Sequence, residues 1–359
     1  MVTTVLIAGG GTGGHLFPGV ALAEELRARG HEILFIGTAN GIEARYCKKA
    51  GWPLELISVR GIKGAGAAGA LRGALAVPGA ILQSRRLLRH FAADVVVGVG
   101  GYASGPVGLA AISLGLPLFL LEQNSVPGIT NRVLGRAAKQ IFGTFAGARR
   151  FFPESRYALV GNPLREAVRS ALAGNRVKTP DRLLIVGGSQ GARGVNLLVS
   201  DALIELHRAG RMPPTVHQCG TADFETLRKK YVDAGLAIEL VPFIDDMASA
   251  YRSARLVIGR AGATTISELL ALGLPSMLIP LPTAADDHQT KNADEIAQQG
   301  AARLLPQQTT TASELAASIV ALLNDEQQLR QMREAALRLA RPDAHARIAD
   351  AILAVNPSG

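Results

Sequence analysis

Aromatic residues, cysteines and long apolar runs are all scarce in this chain. Aromatic side chains make up 4% of its 359 residues, which argues against a nucleic-acid-binding module that stacks bases on aromatic rings. Cys47 and Cys219 are the two cysteines and form no CxxC pair, so neither a disulfide framework nor a zinc site is expected. The most apolar stretch, 107–121, is too short to span a bilayer. We therefore predict no transmembrane helix and no metal site.

What the chain does have is apolar residues and an excess of positive charge. Hydrophobic residues make up 48% of the sequence and charged residues 19%, so two sizeable cores fit within this length. Lys and Arg number 38 against 29 Asp and Glu, a formal net charge of +9. Such an excess favours anionic partners, which include nucleic acid, phosphate-bearing substrates and an anionic membrane surface. Composition does not choose among these partners.

Apolar segments typical of β-strands alternate with helical patterns in both halves of the chain. In the first half these segments are 4–8, 33–36, 94–99 and 118–121. The pattern restarts after the linker 173–181, with segments at 182–186, 216–218, 238–241, 256–258 and 276–279. Strands that are apolar throughout predict parallel sheets covered by helices on both faces. We expect an α/β fold of two tandem Rossmann-like domains facing across a cleft, with ranges 1–163, 164–341 and a last helical segment, 342–359.

A glycine-rich run, GGGTGGH at 9–15, follows the first predicted strand. It fits GxGxxG, in which glycines permit a tight turn and the N–H groups of a helix start bind a phosphate. A dinucleotide site is the alternative, but the segment 36–40 offers no acidic residue for a ribose hydroxyl. His15 is a candidate general base, because the positive end of a helix dipole disfavours its protonated form. An ordinary structural histidine is the other interpretation.

Further polar loops follow other predicted strands. They are GGYASGP at 100–106, LEQN at 121–124, RAGATTISE at 260–268 and DDHQTKNA at 286–293. Polar residues at strand ends are typical of binding sites. Glu268 is suited to accept hydrogen bonds from a ribose diol, although a helix-start charge favoured by the dipole is the alternative.

These motifs together resemble a known family, the undecaprenyl-diphospho-muramoylpentapeptide β-N-acetylglucosaminyltransferases. GGGTGGH, GGYASGP, LEQN, GNPLR, VGGSQGA, FIDDM, GRAGATTISE and DDHQTKNA occur in that order from Thr3 to about Ile348. The resemblance implies the GT-B fold, with the acceptor bound by the first domain and the UDP-sugar mainly by the second. It implies a hexosyltransferase that inverts the donor's anomeric centre, needs no cofactor or catalytic metal, and works peripherally at the cytoplasmic face of the inner membrane.

The resemblance also implies roles for individual residues. His15 would lie beside the donor loop, and Tyr102 and Ser104 would meet the acceptor, an undecaprenyl-diphospho-muramoyl-pentapeptide. From the residues themselves we expect His15 to be the catalytic base, with Glu122 as the next candidate. The residues implied for UDP-N-acetylglucosamine are Thr12, Gly13, Gly14, Asn124, Arg165, Ser189, Ile244, Ala263, Thr264, Thr265, Ile266, Ser267, Glu268 and Gln289.

A membrane contact has some support from the residues themselves. The segments 71–75 and 81–91 mix bulky apolar residues with arginines, a pattern that favours binding to anionic lipid. An ordinary surface helix is the alternative.

For the function of the whole chain, three alternatives stay open. They are a related GT-B enzyme such as a UDP-N-acetylglucosamine epimerase or glycolipid synthase, a nicotinamide oxidoreductase, and a nucleic-acid-binding module. The sequence identifies no protein partner.

Overall fold

The structure is a computed structural model that describes residues 2–59, 66–174, 180–188 and 191–355, with the backbone alone for 66–75 and 173. The chain divides into two compact units. The first comprises Met1–Arg165 and Arg341–Gly359, and the second comprises Glu166–Ala340.

The first unit is built on a seven-stranded parallel sheet. Its strands are Thr4–Gly9 (β1), Glu32–Gly37 (β2), Leu54–Leu56 (β3), Val95–Gly100 (β4), Leu118–Glu122 (β5), Gln140–Gly143 (β6) and Tyr157–Leu159 (β7). Its helices are Gly13–Ala28 (α1), Ile42–Ala50 (α2), Gly66–His90 (α3), Ser104–Ser113 (α4), Ile129–Leu134 (α5) and, from the end of the chain, Ala344–Leu353. β4 is buried along its whole length, as expected for a strand with helices on both faces.

The second unit is built on a six-stranded parallel sheet. Its strands are Arg182–Val186 (β8), Thr215–Gln218 (β9), Glu239–Val241 (β10), Ala254–Gly259 (β11), Ser276–Leu278 (β12) and Ala302–Leu304 (β13). Its helices are Glu166–Ala173 (α6), Arg193–Arg208 (α7), Phe224–Asp233 (α8), Met247–Ser253 (α9), Ala263–Ala271 (α10), His288–Gln298 (α11), Ala312–Asn324 (α12) and Glu326–Leu339 (α13). The helix at Ala344–Leu353 is therefore α14.

The order of strands creates one reversal point in each sheet. The first sheet runs β3-β2-β1-β4-β5-β6-β7 and the second runs β10-β9-β8-β11-β12-β13. The direction of winding changes between β1 and β4 and again between β8 and β11, and the loops beyond such a point form a crevice where α/β proteins bind ligands. The predicted fold, two Rossmann-like parallel-sheet domains of the GT-B class, is confirmed.

Helix α14 belongs to the first unit, although it lies at the end of the chain. It packs on α1, and Ile348 and Ile352 are fully buried in the same core as Leu22 and Leu26 of α1. On the surface, Arg29 donates to Glu25 at 2.7 Å and to Asp350 at 2.5 Å. Burial of apolar side chains supplies most of the stabilisation here, because exposed ion pairs contribute little.

Candidate active site

His15 stands in the first turn of α1, beyond the carboxyl end of β1. Thr12 precedes the helix in an extended conformation, and its hydroxyl lies 3.0 Å from His15 Nδ1. The imidazole also lies against the end of β4, where a Cβ atom added to Gly100 would be 2.6 Å from His15 Cδ2. His15 therefore occupies the reversal point of the first sheet, with one ring nitrogen held by a neighbouring hydroxyl.

The loops after β1 and β4 pack directly on each other. The N–H of Gly10 donates to the carbonyl of Gly100 at 3.2 Å. Gly101 has a φ of +82°, and a Cβ there would lie 2.4 Å from the Gly10 carbonyl oxygen. Only glycine tolerates this close approach. The contact brings the predicted motifs GGGTGGH and GGYASGP together at one point of the sheet edge.

A buried carboxylate that sequence reasoning missed supports the first loop. Glu43 of α2 is 1% exposed and accepts a hydrogen bond from the N–H of Gly11 at 2.7 Å. The segment 36–40 itself carries no acidic residue, but Glu43 reaches back to accept a hydrogen bond from the N–H of Thr38 just after β2. Since Gly10 and Gly11 N–H groups are used within the protein, an anion would meet the first-turn N–H groups of α1, which a helix leaves without intrahelical partners.

The two predicted acceptor residues differ in exposure. Ser104 is fully buried, and its hydroxyl donates to the Ala8 carbonyl at 2.7 Å and accepts from the Gly100 N–H at 3.0 Å. It thus joins the ends of β1 and β4. Tyr102 is 51% exposed. Their contact with an acceptor stays a prediction.

Glu122 ends β5 as a buried acid. It is 3% exposed; one oxygen accepts from the N–H of Asn124 at 2.9 Å and the other from Asn131 Nδ2 at 2.8 Å. Burial raises the pKa of Glu122 to about 7, against the lowering effect of these hydrogen bonds. Glu122 thereby fixes the backbone at Asn124, a residue predicted to hold the transferred sugar.

Arg165 closes the first unit beside α1. Its guanidinium carbon lies 5.6 Å from the centre of the Phe17 ring, and Phe17 makes an edge-to-face contact with Tyr46 at 5.6 Å. The distance to Phe17 is within the range of a cation–π interaction. Arg165 therefore packs against a residue two positions after His15 in α1, and its contact with the nucleotide stays a prediction.

The second unit contains a cavity of about 570 Å³ beside the glycine loop that follows β8. Lining residues are Gly191, Ala192, Arg193, Gly194, Arg260, Leu281, Pro282, Thr283, Gln289, Gln307 and Gln308. Arg260 donates to the carbonyls of Ile279 and Pro280 at 3.1 and 2.8 Å, and burial lowers the pKa of its guanidinium. The cavity thus combines a fixed cation, three glutamine side chains in its lining and the start of α7.

Helix α10 begins beyond β11, at the reversal point of the second sheet. Gly262 precedes it, so the predicted donor residues Ala263, Thr264, Thr265, Ile266, Ser267 and Glu268 form its first turns. Glu268 is 1% exposed and accepts a hydrogen bond from the Tyr251 hydroxyl at 3.0 Å. Ile266 is fully buried and its N–H donates to the Gly262 carbonyl at 2.9 Å, so its contact with the donor stays a prediction. The N–H groups of this helix start provide a second anion-binding end.

The remaining donor residues lie on separate loops of the second unit. Gln289 lines the cavity, and its Oε1 accepts from the N–H of Leu281 at 2.9 Å. Ile244 is half-buried just before α9, which Asp246 caps by accepting from the N–H of Ser249. Ser189 lies outside the described residues. The structure brings Gln289 and Arg260 to one cavity and does not line that cavity with Ile244 or Glu268.

A buried network beside the cavity loop was also missed from the sequence. His217 on β9 is fully buried; its Nδ1 lies 2.8 Å from the Tyr231 hydroxyl and its Nε2 lies 3.2 Å from Asn196 Oδ1. Asn196 Nδ2 donates to the Cys219 carbonyl and to Asp223. Desolvation lowers the pKa of His217 to about 4. The Asn196 carbonyl oxygen needs a donor, which places the proton of the neutral ring on Nε2.

Neither a membrane span nor a metal-ligand cluster occurs among the residues that the structure describes. In the part of the chain that the structure describes, no helix is long and apolar enough to cross a membrane. Among those same residues, no three His, Cys, Asp or Glu side chains are grouped as a metal ion would require.

Two parallel-sheet domains with glycine loops at both reversal points define the GT-B fold. Comparison with known families agrees: the glycosyltransferase family 28 N-terminal domain matches residues 5–143, and the C-terminal domain of the same family matches residues 182–348. This chain belongs to glycosyltransferase family 28.

Individual relatives match this chain over nearly its whole length. The chain is 47% identical to the UDP-N-acetylglucosamine–N-acetylmuramyl-(pentapeptide) pyrophosphoryl-undecaprenol N-acetylglucosamine transferase of Myxococcus xanthus (strain DK1622), over 96% of this chain and 91% of that protein. It is 45% identical to the protein of the same name in Geobacter sulfurreducens, covering 98% of each. Among solved structures, Acinetobacter baumannii MurG matches with a TM-score of 0.81 and 35% identity, over 98% of this chain and 100% of that one.

Proposed function

We propose that this chain transfers N-acetylglucosamine from UDP-N-acetylglucosamine to the C4 hydroxyl of undecaprenyl-diphospho-N-acetylmuramoyl-pentapeptide, with inversion at the anomeric carbon. The observation that carries the proposal is the near full-length identity of 44–47% to proteins that bear the name of this transferase. The site adds a chemical reason, because a histidine lies at the reversal point of the first sheet and two helix starts lie at that of the second. The product is a disaccharide lipid of cell-wall synthesis, and UDP is released.

His15 is proposed to remove the proton of the acceptor hydroxyl. If Nδ1 donates to Thr12 Oγ1, 3.0 Å away, the lone pair of the neutral ring is on Nε2, which can accept a proton. The acceptor oxygen then bonds to the anomeric carbon while the bond from that carbon to the UDP oxygen breaks. The proton that the attacking hydroxyl loses is transferred to His15 Nε2.

The leaving UDP is proposed to be stabilised by the second unit. The first turns of α10 contain residues predicted to bind the donor sugar nucleotide. The N–H groups of the first turn lie at the positive end of the helix dipole, where the charge of a phosphate is stabilised. The cavity next to α7 is lined by Arg260 and Gln289, which supply a cation and an amide for phosphate and sugar oxygens. These side chains and N–H groups match the chemistry of a nucleotide diphosphate sugar, and we propose that no metal ion is needed.

A peripheral membrane contact is proposed for the first unit. Helix α3 packs on α4, and α4 packs on α5. Leu82 of α3 is 59% exposed, and Ile129 of α5 is 73% exposed. Other exposed apolar side chains on these helices are Leu109, Ile112 and Val133. Arg86 and Arg89 follow Leu82 on one helical face at spacings of four and seven residues, so this exposed apolar surface combines cations with apolar side chains, as binding to anionic lipid requires.

A UDP-N-acetylglucosamine epimerase is the second candidate, because such an enzyme shares the fold. The structure described as a putative UDP-N-acetylglucosamine 2-epimerase from Listeria monocytogenes matches with a TM-score of 0.69. The identity is 15%, over 98% of this chain and 96% of that one. At this identity the likeness extends to the fold alone. The transferase is favoured because its named relatives share nearly half of all residues over the same length.

Transfer of radiolabel from UDP-N-acetylglucosamine to a muramoyl-diphospho-lipid tests the proposal. The purified chain is incubated with both substrates in the presence of EDTA, and the lipid product is separated and analysed. Label in a β-linked disaccharide lipid is the expected result. An epimer of the donor sugar formed without acceptor would favour the second candidate, and transfer abolished by EDTA and restored by a divalent cation would contradict a metal-independent mechanism.

A further inference from the structure

Glu43 is a buried carboxylate in the first turn of α2 that the proposed reaction does not yet use. Its two oxygens serve two different loops at the carboxyl edge of the first sheet. Oε2 accepts from the N–H of Gly11 at 2.7 Å, in the loop after β1. Oε1 accepts from the N–H of Thr38 at 2.9 Å and from its hydroxyl at 3.1 Å, in the loop after β2. One side chain thus ties two loops together.

Three glycines leave the room that this carboxylate fills. A Cβ atom on Gly10, Gly37 or Gly41 would lie 2.3, 2.4 or 2.1 Å, respectively, from an atom of the Glu43 side chain. Such distances do not occur between non-bonded heavy atoms. The backbone of both loops is therefore shaped around Glu43, which is fixed in position rather than folded against the surface by chance.

The loop that Glu43 holds is the one that presents His15. Gly11, whose N–H binds Glu43, is followed by Thr12, which precedes α1 and contacts His15 Nδ1. We infer that Glu43 is a positioning residue, which acts through the Gly11 N–H to set the orientation of Thr12 and His15. This inference rests on the proposed role of His15 in proton transfer.

The hydrogen bonds require a carboxylate in particular. Both oxygens of Glu43 accept from N–H donors, and an ionised carboxylate offers only acceptors. A glutamine of the same shape has one acceptor oxygen and one NH₂ donor, so either Gly11 or Thr38 would face a second donor. A buried N–H without an acceptor is unfavourable. Glu43→Gln therefore changes hydrogen bonding while nearly preserving volume.

Steady-state kinetics of Glu43→Gln provide the test, with Glu32→Gln as the matched control. Glu32 is an exposed residue at the opposite end of β2. We expect kcat of Glu43→Gln to fall about 10- to 100-fold, the effect of a small misplacement of a reacting group, while KM for UDP-N-acetylglucosamine changes less than about threefold. Amide hydrogen exchange in peptides covering the loop after β1 should accelerate in Glu43→Gln and stay at the wild-type rate in Glu32→Gln.

A double variant separates positioning of His15 from a general structural effect. If Glu43 acts through His15, adding Glu43→Gln to His15→Ala should lower kcat little further, because coupled residues are not additive. Additive losses, or a Glu43→Gln enzyme with the wild-type kcat, would overturn the inference. If Glu43→Gln does not fold, Glu43→Asp is measured instead; it keeps the charge but shortens the reach to Gly11, and a wild-type kcat and exchange rate there would equally overturn it.

The proposed function can fail separately. If wild type transfers no sugar to the lipid acceptor, the proposed reaction is wrong, and the exchange of the loop amides still tests whether Glu43 holds the loop. If His15→Ala retains full turnover while Glu43→Gln loses it, His15 is not the group through which Glu43 acts, and the inference is overturned although the reaction stands.

Discussion

The imidazole of His15 lies against the backbone of Gly100. A Cβ atom built on Gly100 would be 2.6 Å from His15 Cδ2 and 2.9 Å from Nε2. Since Gly100 ends β4 and His15 lies in the first turn of α1 beyond β1, the contact spans the reversal point of the first sheet. The absence of a side chain at residue 100 is thus a condition for the position of His15.

Gly100→Ala should lower kcat at least about 10-fold, because the added methyl group must displace the imidazole and a misplacement of about 1 Å can lower a rate 100-fold. Gly100 also has a φ of +93°, so some loss of stability is expected, on the order of 1–3 kcal/mol. Gly115→Ala is the matched control, since Gly115 has a φ of +71° but no atom within 4 Å of its Cβ position. Thermal unfolding and turnover of both variants are measured. Equal turnover in the two variants would contradict the steric explanation.

His15→Gln should lower kcat by roughly 10²- to 10⁴-fold, the range for loss of a general base. Glutamine keeps a polar group of similar reach but cannot accept the proton. The affinity for UDP, measured by calorimetry, should stay within a few-fold, because the N–H groups at the start of α1 remain. Near wild-type turnover in His15→Gln would make His15 a positioning residue. Glu122, buried at the end of β5, would then be the next candidate for the base.

The sheets could be predicted because parallel strands carry their own signal. The segment 182–186 is apolar apart from Arg182, and glycines follow it; β8 has the same bounds in the structure. The last helix, expected within the segment 342–359, spans Ala344–Leu353. Burial on both faces selects apolar residues at every position of such strands, so their pattern is visible without any knowledge of their neighbours.

Helix α1 shows where local signals fail. The helix begins at Gly13, inside the glycine-rich run 9–15. Glycine has a low helix propensity, so the sequence conceals a first turn that includes two glycines and His15. The tertiary contact with Gly100 stabilises that turn, and it joins residues far apart in the chain.

Glu43 and His217 could not be assigned from the sequence for a related reason. A glutamate in a first helical turn is usually explained by the helix dipole, and a lone histidine in a strand gives no indication of its partners. Their contacts to Gly11 and Asn196 cross 32 and 21 residues of chain. Only the strand order, which brings these loops together, reveals that both side chains are buried beside predicted binding loops.

Replacing Arg86 and Arg89 with Ser should weaken binding to anionic liposomes roughly 30-fold, because each cation near such a surface contributes about 1 kcal/mol. Arg85 is left in place, since it donates to Ser113 at 2.6 Å and helps to hold α3 on α4. The double replacement of Arg208 and Arg211, both exposed in the second unit, makes the same charge change elsewhere. Sedimentation with vesicles measures binding.

Turnover of a short-chain soluble acceptor should be unchanged in both double variants. Equal loss of liposome binding in the two would indicate a non-specific effect of net charge, and no loss in either would place the membrane contact away from α3. A greater loss of liposome binding when Arg86 and Arg89 are replaced than when Arg208 and Arg211 are replaced would support a membrane contact at α3.

The buried His217 should make the second unit less stable in acid. Its folded-state pKa is lowered to about 4 by desolvation, whereas the side chain of an unfolded chain titrates near 6.5. Between these values the unfolded state binds more protons, so the free energy of unfolding is highest above about pH 6.5 and falls as the pH decreases toward 4. A pKa difference of this size corresponds to about 3 kcal/mol at full effect.

Urea unfolding at about pH 7, 5.5 and 4.5 tests this expectation, because these values cover the titration range of His217. His217→Gln should lower stability at pH 7, because the contacts to Tyr231 and Asn196 change, yet lose less than wild type on acidification. His207→Gln, at a partly exposed position in α7, is the matched control for the removal of an imidazole from the same unit. Glu122 has the opposite effect on the pH dependence of stability, because its raised pKa makes the folded state bind more protons than the unfolded state. Comparison of each variant with wild type cancels this contribution. Parallel acid dependence in wild type and His217→Gln would show that His217 does not titrate as its burial requires.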